Sequence, residues 1–302
     1  MILCCGEALI DMLPEGGCFR PRPGGAALNT ARALGRLGAG AGLLWPLSRD
    51  AFGAMLEASL AGAGVDVSLC PRVERPTTLA FVTLQAGEAA YAFYDEGSAG
   101  RLFAPADLPD LPAAVRALVV GGISLVPDPC GAAVEVLVAR EASARTVFLD
   151  PNIRPAFITD AGAHRARLMR LAARAAVVKL SRDDLDWLWP GRPPAEAAQA
   201  LLGFGPAMVL VTAGAEGATA WRQGGSLTAA AEPVAAADSI GAGDCFNAGI
   251  LAGLDRRGAL ARGAIAALGD DALAAVLGFA NRVAAASLAR PGAGPPWREE
   301  VR

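Results

Sequence analysis

The chain has 302 residues, 27 basic and 30 acidic side chains, a formal net charge of −3 and a hydrophobic content of 53%. That length can bury a large core and suits one α/β domain spanning 1–302, with a small accessory element. The mildly acidic balance, without a basic stripe, argues against nucleic-acid binding and for a small-molecule substrate.

Short apolar runs alternate with longer helix-like stretches, the pattern of a mostly parallel sheet with crossover helices. Residues 2–9 read as the first strand. Residues 11–23, rich in Gly and Pro, break the rhythm. Residues 29–37 and 52–60 read as helices, ending at Gly38 and near Gly62. Residues 77–94 alternate apolar and polar around Gln85-Ala86-Gly87-Glu88 and predict a β-hairpin. Residues 117–121, 146–149, 176–180 and 208–212 predict buried parallel strands, whose following loops are where such sheets carry chemistry. Residues 273–288 predict a late helix closed by Arg290-Pro291-Gly292.

The six cysteines show no Cys-x-x-Cys spacing, which predicts reduced, mostly buried thiols. Cys245 stands at a predicted helix start, where a thiolate would be favoured, yet packing is the expectation. The single histidine, His164, rules out a His-rich metal site, and no Gly-x-Ser-x-Gly elbow supports a hydrolase. Its polar, Arg-rich surroundings predict a surface position. Met1-Ile2-Leu3 enters an apolar run without a basic leader, and every apolar run of spanning length is interrupted by Gly, Pro or charge. The expectation is a cytoplasmic protein without membrane contact.

The chemistry concentrates in Asp238-Ser239-Ile240-Gly241-Ala242-Gly243-Asp244, followed by the helix-like Cys245-Phe246-Asn247-Ala248. A Gly-rich turn opening a helix offers free N–H groups and the positive end of the dipole to an anion. Gly241, Ala242 and Gly243 would cradle a phosphoryl group, and Asp244 would take the proton of an acceptor hydroxyl. The chain reads as a phosphotransferase; the alternative is an ordinary turn capped by Asp244. Asp11, just past the first strand, can accept two hydroxyl hydrogen bonds or serve a turn. Gly25 permits close backbone approach, and Asn29 is a donor and acceptor at a helix start, or an N-cap. Arg154 can hold an anionic oxygen bidentately or pair with Asp150. Ser181 and Asp184 begin a helix, Ser181 as its N-cap. Gly214 and Gly217 after Thr212 fit a phosphate border or a plain turn.

Two signatures in this order resemble those of the ribokinase-like (pfkB-type) sugar kinases. Residues 238–244 match Asp-Thr-x-Gly-Ala-Gly-Asp with Ser239 in place of Thr, and Gly24-Gly25-Ala26-Ala27-Leu28-Asn29 matches Gly-Gly-x-x-x-Asn. The resemblance runs from Gly6 to about Pro296. Gly6-Glu7-Ala8-Leu9-Ile10-Asp11, Tyr91-Ala92-Phe93-Tyr94-Asp95-Glu96 and Asp150-Pro151-Asn152-Ile153-Arg154-Pro155 look most like bacterial fructokinases. The resemblance implies a three-layer α/β/α sandwich with a mostly parallel sheet. It also implies a small β-lid, from segments about 11–23 and 77–95, through which homodimers form.

It further implies transfer from ATP to fructose with Mg²⁺ and Asp244 as base. Asp11, Gly25, Asn29, Phe93, Asp95 and Arg154 would then meet the sugar. Lys179, Ser181, Thr212, Gly214, Gly217 and Asn281 would meet the nucleotide. Where the family has Asn-x-x-Glu, tied to magnesium through water, this chain has Ser181 and Asp184. Asp238 and Ile240 match a loop that binds a monovalent cation, K⁺ included, in some relatives. A 2-keto-3-deoxygluconate kinase or another small-sugar kinase is the near alternative. A non-catalytic sugar-binding protein is the alternative from another class; a dehydrogenase would want Gly-x-Gly-x-x-Gly immediately after the first strand, which Gly6-Glu7-Ala8-Leu9 does not supply.

Overall fold

The computed structural model describes residues 1–85, 88–235, 240–290 and 294–301. Fourteen strands are described in chain order: β1 (Ile2–Cys5), β2 (Leu9–Glu15), β3 (Cys18–Gly24), β4 (Ala41–Leu44), β5 (Leu47–Ser48), β6 (Arg72–Val73), β7 (Leu79–Gln85), β8 (Glu88–Tyr94), β9 (Ala117–Gly121), β10 (Thr146–Asp150), β11 (Val177–Ser181), β12 (Met208–Thr212), β13 (Ala218–Arg222) and β14 (Gly225–Ala229). The helices are α1 (Ala26–Arg36), α2 (Ala51–Ala61), α3 (Cys130–Glu141), α4 (Ala161–Ala172), α5 (Arg182–Leu188), α6 (Pro194–Leu202), α7 (Ala242–Asp255), α8 (Arg262–Ala266) and α9 (Asp270–Leu288).

Eight strands form the central sheet in the order β14-β13-β12-β11-β10-β9-β1-β4. All neighbours from β4 to β12 run parallel, and β13 and β14 add an antiparallel edge. The middle strands are apolar on both faces, as a sheet covered on both sides requires: Leu118 to Val120, Val147 to Leu149 and Val209 to Val211 are all buried. Helices α1, α7 and α9 pack together as one layer, and α3 with α4 and α5 with α6 pack as neighbours, giving a three-layer α/β/α sandwich. Gly249 on α7 explains how closely two helices of that layer approach: a Cβ there would stand 2.6 Å from Ala280 Cα on α9.

A second sheet, in the order β3-β2-β7-β8, is built from the two segments that interrupt the βα alternation. The predicted hairpin at 77–94 is the antiparallel pair β7–β8, and the Gly/Pro-rich 11–23 segment is the hairpin β2–β3. The single strand expected at 2–9 is two strands in different sheets. The chain leaves the central sheet at Gly6 because Glu7 turns inward, its carboxylate accepting from the N–H groups of Ala26 and Ser124. A side chain at Gly6 would meet Ser124 Oγ at 2.9 Å.

His164 is not on the surface. It is buried on α4 with its ring edge-on to Trp187, and burial pushes its pKa down to about 4. The arginines that made its surroundings look polar fold back onto the protein. Arg167 binds the carbonyls of Leu125 and Val126 and the carboxylates of Asp128 and Glu135, and Arg165 stacks on Trp187. All six cysteines are free, and all but Cys18 are buried. Helix α9 is long and apolar enough to span a membrane by length and composition. Its residues Leu273, Val276, Leu277, Ala280 and Val283 are instead fully buried in the core.

Candidate active site

At the C-terminal ends of the central strands, under the second sheet, lies a cleft of about 290 Å³. This is where a doubly wound sheet places its ligand, because the strands end there and the loops diverge. Gly241, in the left-handed region at φ 77°, turns the chain into α7. Its carbonyl accepts the Cys245 N–H, so Asp244 falls in the first turn, where amides have no preceding helical carbonyl. Gly241, Gly243, Ile240 and Asp244 all line the cleft. A Cβ on Gly243 would stand 3.3 Å from Lys179 Nζ, so the turn has the Lys179 ammonium beneath it.

Asp244 is 6% exposed. Its Oδ2 accepts from Asn29 Nδ2 at 3.0 Å, and Thr30 Oγ1 reaches its main-chain carbonyl. Burial pushes its pKa up to about 7 from an ordinary 3.8; Asp150 and Glu7 add to the rise, while Asn29 and Lys179 oppose it. A carboxylate with that affinity holds a proton near neutrality, the property a general base needs. Asn29 Oδ1 is buried without a protein partner, on a residue that lines the cleft. The amide is therefore no N-cap. The cap of α1 is Gly25, at φ 102°, where a Cβ would stand 2.4 Å from the Glu7 carbonyl oxygen.

Asp11 on β2 faces the same cleft, and burial raises its pKa to about 6. Gly24 leaves room for it, since a Cβ there would stand 2.0 Å from Asp11 Oδ2. Phe93 on β8 lines the cleft and packs edge-on against Phe157. Asp95, one residue past β8, is held by Arg101 at 3.2 Å and does not line the cleft. Arg154 does line it. The alternative ion pair between Arg154 and Asp150 does not form. Arg154 donates to the carbonyls of Asn152 and Ile153, while Asp150 pairs with Lys179 at 3.0 Å.

The segments expected to meet the nucleotide lie along the neighbouring strand ends. Ser181 caps α5 by accepting the Asp184 N–H, and Asp184 returns the bond to the Ser181 N–H, a capping box. Asp184 is buried, and its other oxygen accepts the Ile153 N–H at 2.7 Å. Lys179 is buried in its pair with Asp150 and does not line the cleft. Thr212 ends β12 and is followed by a tight turn from Gly214, at φ 54°, to Gly217, at φ 93°. Arg182 and Glu216 tie these two segments together by a bidentate pair. Asn281 spends its amide donors on the carbonyls of Ala229 and Ala230, joining α9 to the end of β14. Asp238 lies outside the described residues.

Glu7 is a charged cleft residue that sequence reasoning passed over. It sits inside the quoted Gly6–Asp11 segment, but its depth depends on backbone partners at Ala26 and Ser124. Cys245 packs, as expected: it is buried, and burial raises its thiol to about 12.

The model of the pfkB family carbohydrate kinases matches residues 2–300. The chain belongs to that family of carbohydrate kinases. A fructokinase of Rhizobium leguminosarum bv. trifolii is 47% identical over 279 residues, covering 90% of this chain and 85% of the relative. Among solved structures, the fructokinase of Xylella fastidiosa with bound ATP superposes with a TM-score of 0.93 at 30% identity, covering 99% of this chain and 96% of that one. The fructokinase of Vibrio cholerae O395, in a form with fructose, ADP and calcium ion, superposes at 0.84 with 26% identity, covering 97% and 94%.

Proposed function

We propose that this kinase transfers the terminal phosphoryl group of ATP to the 6-hydroxyl of D-fructose, with Asp244 as general base. The observation that carries the proposal is the placement of Asp244: buried at the cleft floor, bonded to Asn29, and with a proton affinity raised to about 7. The names of the relatives supply the sugar.

In the proposed reaction Asp11, the free oxygen of Asn29 and the Gly25 backbone orient the sugar, and Phe93 covers it. Asp244 accepts the hydroxyl proton as the oxygen attacks phosphorus, and the Gly241–Gly243 amides stabilise charge on the transferring group. Arg154, facing the same cleft, adds positive charge beside it. Thr212, Gly214 and Gly217 border the nucleotide, with Asn281 near the base. A magnesium ion would be carried by the nucleotide phosphates and water. Asp184 would meet it only through water. Mg²⁺, when bound, neutralises phosphate charge. A monovalent cation such as K⁺ would sit by Ile240 and Asp238.

The second sheet is the proposed lid, the whole chain is one catalytic unit, and the cytoplasm is its proposed location. Homodimerisation through the lid is supported by Phe19, Phe81 and Tyr94, which form an edge-to-face aromatic cluster with Phe19 and Tyr94 exposed. Tyr94 follows the cleft-facing Phe93, so strand alternation puts it on the opposite face of the lid.

A panel of sugars with ATP and Mg²⁺, read as coupled ADP release, tests the proposal. Fructose should turn over fastest. Turnover of ketodeoxygluconate with fructose inert would overturn the substrate and leave the kinase; release with no sugar in the panel would overturn both.

A further inference from the structure

The chain carries 26 arginines and one lysine. Wherever a cation serves the surface, this sequence uses arginine. The one lysine, Lys179, is buried at 4% exposure, and among the described residues no arginine is buried to that degree.

Its surroundings are acidic. Glu7, Asp150, Asp184 and Asp244 are all buried around the cleft floor. Lys179 Nζ donates to Asp150 Oδ2 at 3.0 Å, and Asn247 Nδ2 donates to the same oxygen at 2.6 Å. The other Asp150 oxygen accepts the Asn152 N–H at 3.2 Å. Asp184 accepts the next amide along, that of Ile153. Two carboxylates thus hold consecutive amides of one loop. That loop carries Asn152, at φ 44°, and Arg154, both of which line the cleft. Asn247 lies one turn beyond Asp244 on α7.

Size explains why the cation is not arginine. The ammonium sits directly beneath Gly243, 3.3 Å from where a Cβ would be. A planar guanidinium in that space would lift the turn, whereas an ammonium is a compact point charge with three donors. Burial lowers the pKa of Lys179, but Asp150, Asp184 and Asp244 outweigh it and the net shift is upward.

We propose that Lys179 is a positioning residue for phosphoryl transfer, whose ammonium, through Asp150, ties the first turns of α7 to the Asn152–Arg154 loop and supplies the positive charge beneath Asp244. The role rests on the kinase reading above. The titratable groups that bear on Asp244 from the packed elements are Cys4 on β1, Glu7, Asp150 on β10, Lys179 on β11 and Cys245 on α7. Of these only Lys179 brings a positive charge, so its loss leaves the acids unopposed.

The single lysine makes the test direct, because protein labelled with ¹⁵N-lysine gives one side-chain nitrogen signal. In the wild type that signal should be protected from exchange and should move across the pH range in which Asp244 ionises. In D244N it should not move. A rapidly exchanging signal, or one that ignores pH in the wild type, overturns the proposal without any need for a lysine variant to fold. In K179M, kcat should fall on the order of tenfold to a hundredfold, the sugar KM should stay near wild type, and the rising limb of kcat/KM should move to higher pH. K179R should return the limb toward its original pH while kcat stays low. Wild-type kcat and an unmoved limb in folded K179M also overturn it. Failure of the kinase reading looks different: no sugar would support ADP release even in the wild type.

Discussion

Asn29 donates its side-chain amide to Asp244 at 3.0 Å, joining residues 215 positions apart in the chain. The bond links the two glycine-flanked segments of the site. It places one amide between the proposed base and the space a sugar would fill, with Asn29 Oδ1 still unpartnered. Asn29→Ala should therefore damage both functions, lowering kcat/KM about 10- to 100-fold, the worth of a hydrogen bond to a charged group. Steady-state kinetics of Asn29→Ala, Asp244→Asn and the double variant check it. Additive losses would mean the two side chains do not act together.

The pH dependence follows from burial. A base with a pKa of about 7 is active only when ionised, so kcat/KM should rise with pH and level off above about 7. Stability runs the other way. The folded protein holds the Asp244 proton more tightly than the unfolded chain does, so that contribution is complete below the ordinary 3.8 and is lost as pH rises through about 7. Asp11, raised to about 6, and Glu7, also raised, act in the same direction. Thermal melts at pH 6 and pH 8 should show a fall in Tm for the wild type and a smaller fall for Asp244→Asn.

Gly25 and Gly243 should fail differently when changed to alanine. At Gly25 the backbone has φ 102° and the new methyl would meet the Glu7 carbonyl oxygen at 2.4 Å, so the fold itself suffers. The expected cost is about 2–4 kcal/mol, seen as a lower denaturation midpoint. At Gly243 the nearest atom is the Lys179 ammonium at 3.3 Å, and the helix accepts alanine. That variant should fold and lose turnover on the order of tenfold to a hundredfold, because the new methyl presses on the Lys179 ammonium beneath the turn and shifts the amides above it.

Asp11 should separate sugar from nucleotide. Asp11→Ala removes a carboxylate that faces the cleft from β2. The KM for fructose should rise at least about tenfold, the loss of a bond to a polar substrate group, while the KM for ATP stays near wild type. A matching rise in both would place Asp11 in the fold of the cleft and not in sugar recognition.

The two glycine signatures and the buried strands were legible because each is local. Apolar runs fix a strand, and a Gly-Ala-Gly-Asp turn fixes the start of α7, within a few residues. The floor beneath Asp244 was not legible because its bonds are long-range. Asp150 reads from the sequence as a partner for the nearby Arg154. It instead meets Lys179, 29 residues away, and Asn247, 97 residues away. His164 misled for a related reason: its neighbouring arginines find backbone carbonyls and an indole face instead of solvent. The expected first strand, 2–9, overruns because Leu9 continues the apolar run while belonging to another sheet.

The most direct test of the account is fructose-dependent ADP release by Asp244→Asn, measured beside fructose and ATP binding by calorimetry. The account predicts that both ligands still bind and that kcat falls by about a thousandfold or more, since the isosteric amide keeps the shape and removes the base. Turnover near the wild-type rate would contradict it.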